Sequence, residues 1–78
     1  MLYAKFDHPE AGWDRGEFCK KNLTIGNMYE VEYVSMGQSY TDIYLKGYKV
    51  PFNSVNFTFF KNGEEWDIYS DPNYNPYI

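Results

Sequence analysis

Residues Leu23–Val31, with the sequence LTIGNMYEV, decide the fold of this 78-residue chain. A glycine turn leads into a run in which apolar and polar side chains alternate, the pattern of a strand with one buried face. This strand is expected to span residues 28–36. Its inward face should hold Tyr29, Val31 and Tyr33, because a one-residue slip would bury the carboxylates of the glutamates between them.

Short alternating runs of apolar and polar residues recur along the chain and are bounded by Gly, Asn and Asp. Because side chains in a half-buried strand repeat every two residues, these runs predict strands. The predicted strands span residues 2–6, 28–36, 40–45, 48–50, 57–60 and 65–69. No window has the apolar spacing of an amphipathic helix, so no helix longer than two turns is expected. We therefore predict an all-β fold, a partly open barrel of five to six antiparallel strands.

The dipeptide Asn62-Gly63 predicts a C-terminal β-hairpin, because a type I′ turn needs positive φ at both central positions. Counting outward from this turn predicts the cross-strand pairs Lys61 with Glu64, Phe59 with Trp66, and Phe57 with Ile68. The hairpin and the other strands together define an expected core. Its members are Phe6, Tyr29, Val31, Ile43, Leu45, Phe57, Phe59, Trp66 and Ile68.

Aromatic residues make up 22% of the chain, more than the core of one small domain can enclose. We expect a single barrel domain over residues 1–69 and an extended C-terminal tail over residues 70–78. The tail either lies along an edge of the barrel or is a free peptide that orders on a partner. Trp13, in a loop, either folds back as a lid on the core or stands out as a contact residue. Phe18 and Cys19 are expected to be the buried members of a short connector.

A wider pattern surrounds the opening motif. The run Leu23–Gly26 is followed by Tyr29 and Val31, by a turn and an alternating strand, and then by Gly47 and a following Phe. With this pattern, residues 23–60 resemble small SH3-like barrel proteins of phages and prophages of Gram-positive bacteria. The resemblance implies a small SH3-like barrel and a phage or prophage origin, and it implies no particular activity.

The charge balance of the chain is acidic, with a formal net charge of −4 and a pI of about 4.7. This argues against direct nucleic-acid binding, because contacts to phosphates need a basic footprint. The single cysteine excludes an intrachain disulfide. The N-terminal residues lack a signal-peptide pattern, and no apolar run is long enough to span a membrane. We therefore expect a cytoplasmic protein without membrane association.

Residues that could carry chemistry are few. One His and one Cys are too few for a Cys/His zinc site. Asp7, His8, Glu10 and Asp14 crowd one loop, where they either hold a cation weakly or are simply polar loop residues. A nucleophile pair of His8 and Cys19 would need the fold to bring the two together. Because no phosphate-binding glycine loop is present either, we expect a non-enzyme with no cofactor and no metal.

Exposed aromatic residues are the candidate protein-binding residues. Tyr40, Asp42 and Tyr44 share the expected solvent face of one strand, and Tyr74 and Tyr77 lie in the tail. Tyrosine rings lose little rotamer freedom when a partner covers them, although the same rings would also fit under a loop or the tail. The expected function is that of a monomeric or weakly dimeric binding protein, which docks on a host or phage protein and modulates or inhibits it.

Nucleic-acid mimicry is the alternative function. Residues 22–45 and 62–78 carry seven carboxylates and no basic side chain, so the acidic charge is unevenly spread. Such a chain would act as a decoy for a DNA- or RNA-binding enzyme, for example a restriction or CRISPR nuclease. A steep loss of binding with salt would favour the decoy. The same carboxylates are also typical of an ordinary soluble surface.

Overall fold

The structure is a computed structural model and describes residues 1–78. Six strands form one antiparallel sheet, accompanied by one helix and two single-turn 3₁₀ helices. In chain order the elements are β1 (Leu2–Phe6), α1 (Glu17–Asn22), β2 (Met28–Met36), β3 (Thr41–Leu45), β4 (Phe52–Asn53), the 3₁₀ helix Ser54–Asn56, β5 (Phe57–Lys61), β6 (Glu64–Glu65) and the 3₁₀ helix Ile68–Ser70. The strand order is β4-β3-β2-β1-β5-β6. The predicted all-β class, the strand number and the lack of a long helix are confirmed, and the curled sheet is consistent with a small, partly open barrel.

Strand β2 belongs to both halves of the sheet. Its first half pairs with β1, where Glu30 lies opposite Tyr3, and its second half pairs with β3. A bulge between Val31 and Tyr33 separates the two halves. Because a bulge adds one residue, it reverses which side chains face inward. Val34 packs on the core, and Tyr33 is 61% exposed, so the prediction of an inward Tyr33 was wrong.

The fourth strand lies later in the chain than predicted. Residues 46–47 form a turn and residues 49–50 a bend, and between them the Tyr48 N–H donates to the Leu45 carbonyl at 3.1 Å. That N–H is therefore not available to pair with a neighbouring strand. The strand begins only after Pro51, where Phe52 pairs with Ile43 of β3. The predicted strand over residues 48–50 was therefore wrong, and its place at the sheet edge is taken by β4.

The C-terminal hairpin has the predicted turn but is shorter than predicted. Lys61 lies opposite Glu64, and Asn62 and Gly63 have φ of 54° and 84°, as a type I′ turn requires. Of the predicted pair Phe59 and Trp66, one bond forms, in which the Trp66 N–H donates to the Phe59 carbonyl at 2.8 Å. Beyond this bond the two segments of the hairpin no longer pair as strands.

A polar cap ends the hairpin. The Asp67 carboxylate accepts from the Tyr69 N–H at 3.0 Å and from the Ser70 hydroxyl at 2.7 Å, and it thereby starts the 3₁₀ helix Ile68–Ser70. The predicted strand over residues 65–69 and the pairing of Phe57 with Ile68 were therefore wrong. Ile68 is nevertheless fully buried, since the 3₁₀ turn directs it into the same core.

The core lies on the concave face of the sheet. Alternation in β1 and β3 buries every second side chain, as the sequence predicts. The buried apolar residues are Leu2, Ala4, Phe6, Cys19, Leu23, Ile43, Leu45, Phe52, Phe57, Phe59 and Ile68. Tyr29, Val31 and Trp66 are half-buried against this cluster. Helix α1 covers one side through Cys19, whereas Phe18, predicted to be buried, is 42% exposed and only rests its ring on Phe52.

Candidate functional site

A groove of about 540 Å³ opens between the β2–β3 turn, the 3₁₀ helix Ser54–Asn56 and the C-terminal tail. We call it the tyrosine groove. The side chains that define it are Met36, Tyr40, Val55, Tyr69, Asn75 and Tyr77. They come from four separate segments of the chain, so only the folded protein assembles the groove.

Each wall of the tyrosine groove is fixed by hydrogen bonds. The Gly37 N–H donates to the Tyr40 carbonyl at 2.8 Å and closes the β2–β3 turn that presents the Tyr40 ring. The Tyr69 hydroxyl shares a hydrogen bond of 2.6 Å with Ser54 Oγ. The backbone of the β2–β3 turn and the Tyr69 side chain are therefore held in place by the fold itself.

Asn75 links the two tail walls of the groove. Its Nδ2 donates to the Tyr69 carbonyl at 2.7 Å, and its Oδ1 accepts from the Tyr77 N–H at 2.9 Å. One amide side chain thus sets the distance between the segments that carry Tyr69 and Tyr77. Nothing in the sequence marked Asn75 or Tyr69 as site residues, because the bonds to Asn75 depend on the turn geometry of the tail.

The tyrosine groove is aromatic and uncharged. No Asp, Glu, Lys, Arg or His side chain lines it. Tyr40 and Tyr77 are 66% and 56% exposed, so much of each ring is available to a partner. Such a surface offers ring faces for packing, with hydroxyls and amides for hydrogen bonds. This chemistry suits a neutral, partly apolar segment of another molecule.

The structure brings together two of the five candidate residues from the sequence, Tyr40 and Tyr77. Asp42 is half-buried in β3, opposite Ser35 of β2. Tyr44 is half-buried as well, with its ring centroid 5.8 Å from that of Tyr33. Neither Asp42 nor Tyr44 lines the groove.

Tyr74, the fifth candidate, helps to attach the tail to the barrel. It packs on the core, and the Lys61 ammonium lies 5.6 Å from its ring centroid and 5.1 Å from that of Trp66. The Tyr74 N–H donates to the Asp71 carbonyl at 3.0 Å, which folds this part of the tail into a turn. The tail is therefore docked on the barrel rather than free, and this docking places Tyr77 at the groove.

Asp71 is the polar centre of that attachment. Its buried carboxylate accepts from the Asn73 N–H at 2.9 Å and from Trp66 Nε1 at 2.8 Å. These hydrogen bonds, with Lys61 at 3.8 Å, hold the pKa of the Asp71 carboxyl below its ordinary value. Asp71 is therefore charged at neutral pH and keeps the tail in place.

Trp13 stands out from the loop between β1 and α1 and is 92% exposed. The lid alternative for this side chain is therefore wrong. The loop itself lies beside the groove, since a Cβ built on Gly12 would lie only 3.2 Å from Val55 Cγ2. Trp13 therefore belongs to a segment that contacts a groove residue.

The residues considered for catalysis and metal binding do not assemble. The Cys19 thiol bonds to Asn56 Oδ1 at 3.5 Å, whereas the His8 ring lies 3.1 Å from Thr58 Oγ1 and 3.3 Å from Asp7 Oδ1. Burial, with a smaller contribution from the nearby negative charge of Asp14, raises the pKa of Cys19 to about 11. That thiol is protonated at neutral pH and is a poor nucleophile. No three His, Cys, Asp or Glu side chains are grouped to hold a metal ion.

Comparison with known proteins gives a family. The family model described as Bacteriophage T4 protein Y07B matches residues 1–78. No curated protein and no solved structure matches the chain. Among the helices, none has the length and apolar character needed to cross a membrane.

Proposed function

Since the chain belongs to the Bacteriophage T4 protein Y07B family and is thus a small phage protein, we propose that it is a non-enzymatic binding protein. It docks on a host or phage protein and modulates or inhibits that protein. The observation that carries the proposal is the tyrosine groove, in which the exposed rings of Tyr40 and Tyr77 stand on backbone segments held by the Gly37–Tyr40 bond and by Asn75.

The energetics of the groove support docking. An exposed ring contributes little to folding, since it removes little apolar surface from water. The same ring contributes strongly to an interface, where tyrosine is enriched among the residues that carry most of the binding energy. Asn75 holds the backbone of Tyr77, and Ser54 holds the hydroxyl of Tyr69, so a partner would not have to order these parts of the groove.

We infer that the barrel is of the SH3-like type that the sequence resembles. The support is the pairing of the strands. Strand β2 is shared by both halves of the sheet, and after the 3₁₀ helix Ser54–Asn56 strand β5 returns to pair with β1 over its whole length. In this account the C-terminal hairpin and the docked tail are additions to the barrel, and the additions supply one side of the groove.

The outer face of β3 is a secondary part of the proposed contact surface. Tyr44 and Tyr33 form a ring pair there, and Asp42 lies one alternate position away on the same strand. Tyr40, the residue before β3, connects this face to the tyrosine groove. A partner that covers the groove and extends along β3 would contact all of these residues.

The test is affinity capture from phage-infected host cells with the immobilised full chain. The first variant is the pair Tyr40→Ala with Tyr77→Ala. The control is the pair Tyr3→Ala with Ile25→Ala, which removes one exposed ring and one exposed aliphatic side chain outside the proposed contact surface. Circular dichroism and thermal midpoints establish that both variants fold.

We expect a specific partner to be captured by wild type and by the control pair, and to be lost from the groove pair. Equal capture by all three chains would contradict the proposal. Nuclease capture that disappears steeply with rising salt and ignores the groove pair would instead favour the acidic decoy.

A further inference from the structure

The second half of strand β2 has a neighbouring strand on one side only. β1 pairs with residues 28–30 of β2, whereas β3 pairs with β2 as far as Met36. An unpaired strand edge presents N–H and C=O groups that can bond a further strand. We propose that the protein partner adds an extended, uncharged segment to this side of β2, alongside residues 34–36, as an additional strand of the sheet. This inference rests on the proposed binding function and names how the partner is bound.

The register of the sheet identifies the backbone groups at this free edge of β2. The Gly37 N–H donates to the Tyr40 carbonyl at 2.8 Å, so these two residues form a hydrogen-bonded pair. Such pairs alternate with non-bonded pairs along an antiparallel ladder, so Ser35 bonds to β3, while Val34 and Met36 do not. The N–H and C=O groups of Val34 and Met36 therefore point away from β3, toward the free edge.

The C-terminal tail borders the free edge without pairing with it. Pro72 and Pro76 have no N–H to donate. The other N–H groups of residues 72–77 all bond within the tail, to the carboxylate or the carbonyl of Asp71 or to Asn75 Oδ1. These donors belong to Asn73, Tyr74, Asn75 and Tyr77. The tail is therefore not the missing strand, and the carbonyls of Val34 and Met36 receive no hydrogen bond from it.

A slot of about 290 Å³ lies between the free edge and the tail. Residues 33–36 of β2 line one side, and Pro72, Asn73, Tyr74 and Pro76 line the other. No Asp, Glu, Lys, Arg or His side chain lines the slot. An extended peptide repeats its own N–H and C=O groups at the spacing of a strand, so it matches the groups of Val34 and Met36. The uncharged lining selects uncharged side chains in that segment, since a charge placed there would lose water without gaining a partner.

The slot continues the proposed contact surface. Met36 lines both the slot and the tyrosine groove. Tyr33, which also lines the slot, belongs to the ring pair with Tyr44 on the outer face of β3. One partner chain can therefore place side chains in the groove and its backbone along β2. In antiparallel addition, Val34 and Met36 would each exchange both of their hydrogen bonds with a residue of that chain.

The first measurement needs no partner. Amide hydrogen exchange of the free full chain, followed residue by residue by NMR, should alternate along β2. We expect the Ser35 N–H, which is bonded to β3, to exchange at least about tenfold more slowly than those of Val34 and Met36, the scale of one additional hydrogen bond. Equal protection of the three N–H groups would show that the edge is already paired and would overturn the proposal.

The second measurement uses the protein that the wild-type chain captures from infected cells, purified and added in excess. In the complex, exchange at Val34 and Met36 should slow to the rate of Ser35, because the added strand bonds both N–H groups. Protection that appears instead as the concentration of the free chain rises would assign the edge to a second copy and overturn the partner segment.

Two variants separate the backbone of Met36 from its side chain. Met36→Ala removes the side chain, whereas Met36→Pro also removes the N–H at the free edge, a position where a strand tolerates proline. We expect the Kd for the purified partner to be at least about fivefold weaker for Met36→Pro than for Met36→Ala, the scale of one hydrogen bond. Equal Kd values would contradict strand addition. Should Met36→Pro fail to fold, exchange at Val34 in the wild-type complex decides the question alone.

Failure of this inference is distinguishable from failure of the proposed function. Capture that is lost from the groove pair, with Val34 and Met36 unprotected in the complex, would overturn strand addition and sustain the docking function. Capture of no protein by the wild-type chain would overturn both.

Discussion

Asn56 and His8 are 48 positions apart in the chain and are joined by a hydrogen bond of 2.8 Å from the Asn56 side chain to the His8 carbonyl. In the other direction, the His8 N–H donates to the Asn56 carbonyl at 3.2 Å. This reciprocal pair ties the loop after β1 to the 3₁₀ helix before β5. The loop beside the tyrosine groove is thereby tied to the 3₁₀ helix that supplies Val55 to the groove.

Replacing Asn56 should loosen the Trp13 loop. Asn56→Ala leaves the carbonyls of His8 and Ala11 without their buried donor, and we expect a loss of about 1–3 kcal/mol in the free energy of unfolding. Hydrogen exchange should quicken across residues 8–16. The matched control is Asn22→Ala, whose exposed amide makes one local bond of 2.8 Å to the Phe18 carbonyl. Equal effects of the two variants on exchange in the loop would contradict this account.

Cys19 should react slowly with thiol reagents in the folded protein. Its pKa of about 11 lies above the ordinary 9.0, so the buried neutral thiol contributes stability that is present below pH 9 and is lost as the pH rises toward 11. We expect labelling at neutral pH to be far slower than for a free thiol and to become rapid in denaturant. Cys19→Ala should lose less stability between those pH values than wild type does. Rapid labelling of native protein would refute the burial.

Asp71 should make the tail acid-sensitive. Because hydrogen bonds from Asn73 and Trp66 depress its pKa, its contribution to stability is present above the ordinary value of 3.8 and is lost as the pH falls through the lowered value. Wild type should therefore lose thermal stability on acidification below about pH 4. Asp71→Asn should start less stable at neutral pH and lose less on acidification. A variant with the same acid profile as wild type would show that Asp71 does not hold the tail.

Adjacent positions in β5 should differ sharply in their effect on stability. Phe59 is 5% exposed in the core, and Phe59→Ala should lower the free energy of unfolding by about 3–5 kcal/mol. Phe60, one position on, is half-buried on the opposite face of the strand, and Phe60→Ala should cost clearly less. Denaturant titrations of both variants measure the difference, and similar losses would mean that the strand faces are assigned wrongly.

Much of the fold could be predicted from local sequence signals. The alternation in β1 and β3 and the Asn62-Gly63 turn depend on neighbouring residues alone, and the structure follows them. Two features escaped prediction, one set by distant pairing and one by a local cap. The bulge in β2 turns Tyr33 outward, because the strand pairs with different partners along its length. The hairpin stops early, because the Asp67 cap competes with continued pairing.

The candidate site was less predictable than the core. The high tyrosine content indicated that some rings lie on the surface, and Tyr40 and Tyr77 were among the candidates. The alternation of the strand, however, grouped Tyr40 with Asp42 and Tyr44 and not with Tyr77. The groove instead joins Tyr40 to Tyr77 across the molecule, through a tail whose path is set by turns at Asp71 and Asn75. The two-residue repeat of a strand shows which side chains share a face of that strand, but not which other segments the tail will contact.

The most direct test of the docking account is hydrogen exchange measured on the protein alone and in complex with its purified partner. We predict that protection on binding will appear in the β2–β3 turn around Tyr40, in residues 69–77 and in the Trp13 loop, the segments that border the tyrosine groove. Residues at the opposite turn around Ile25 should exchange at the same rate in both states. Protection confined to the Ile25 turn or to the β5–β6 hairpin, with the groove unchanged, would contradict the account.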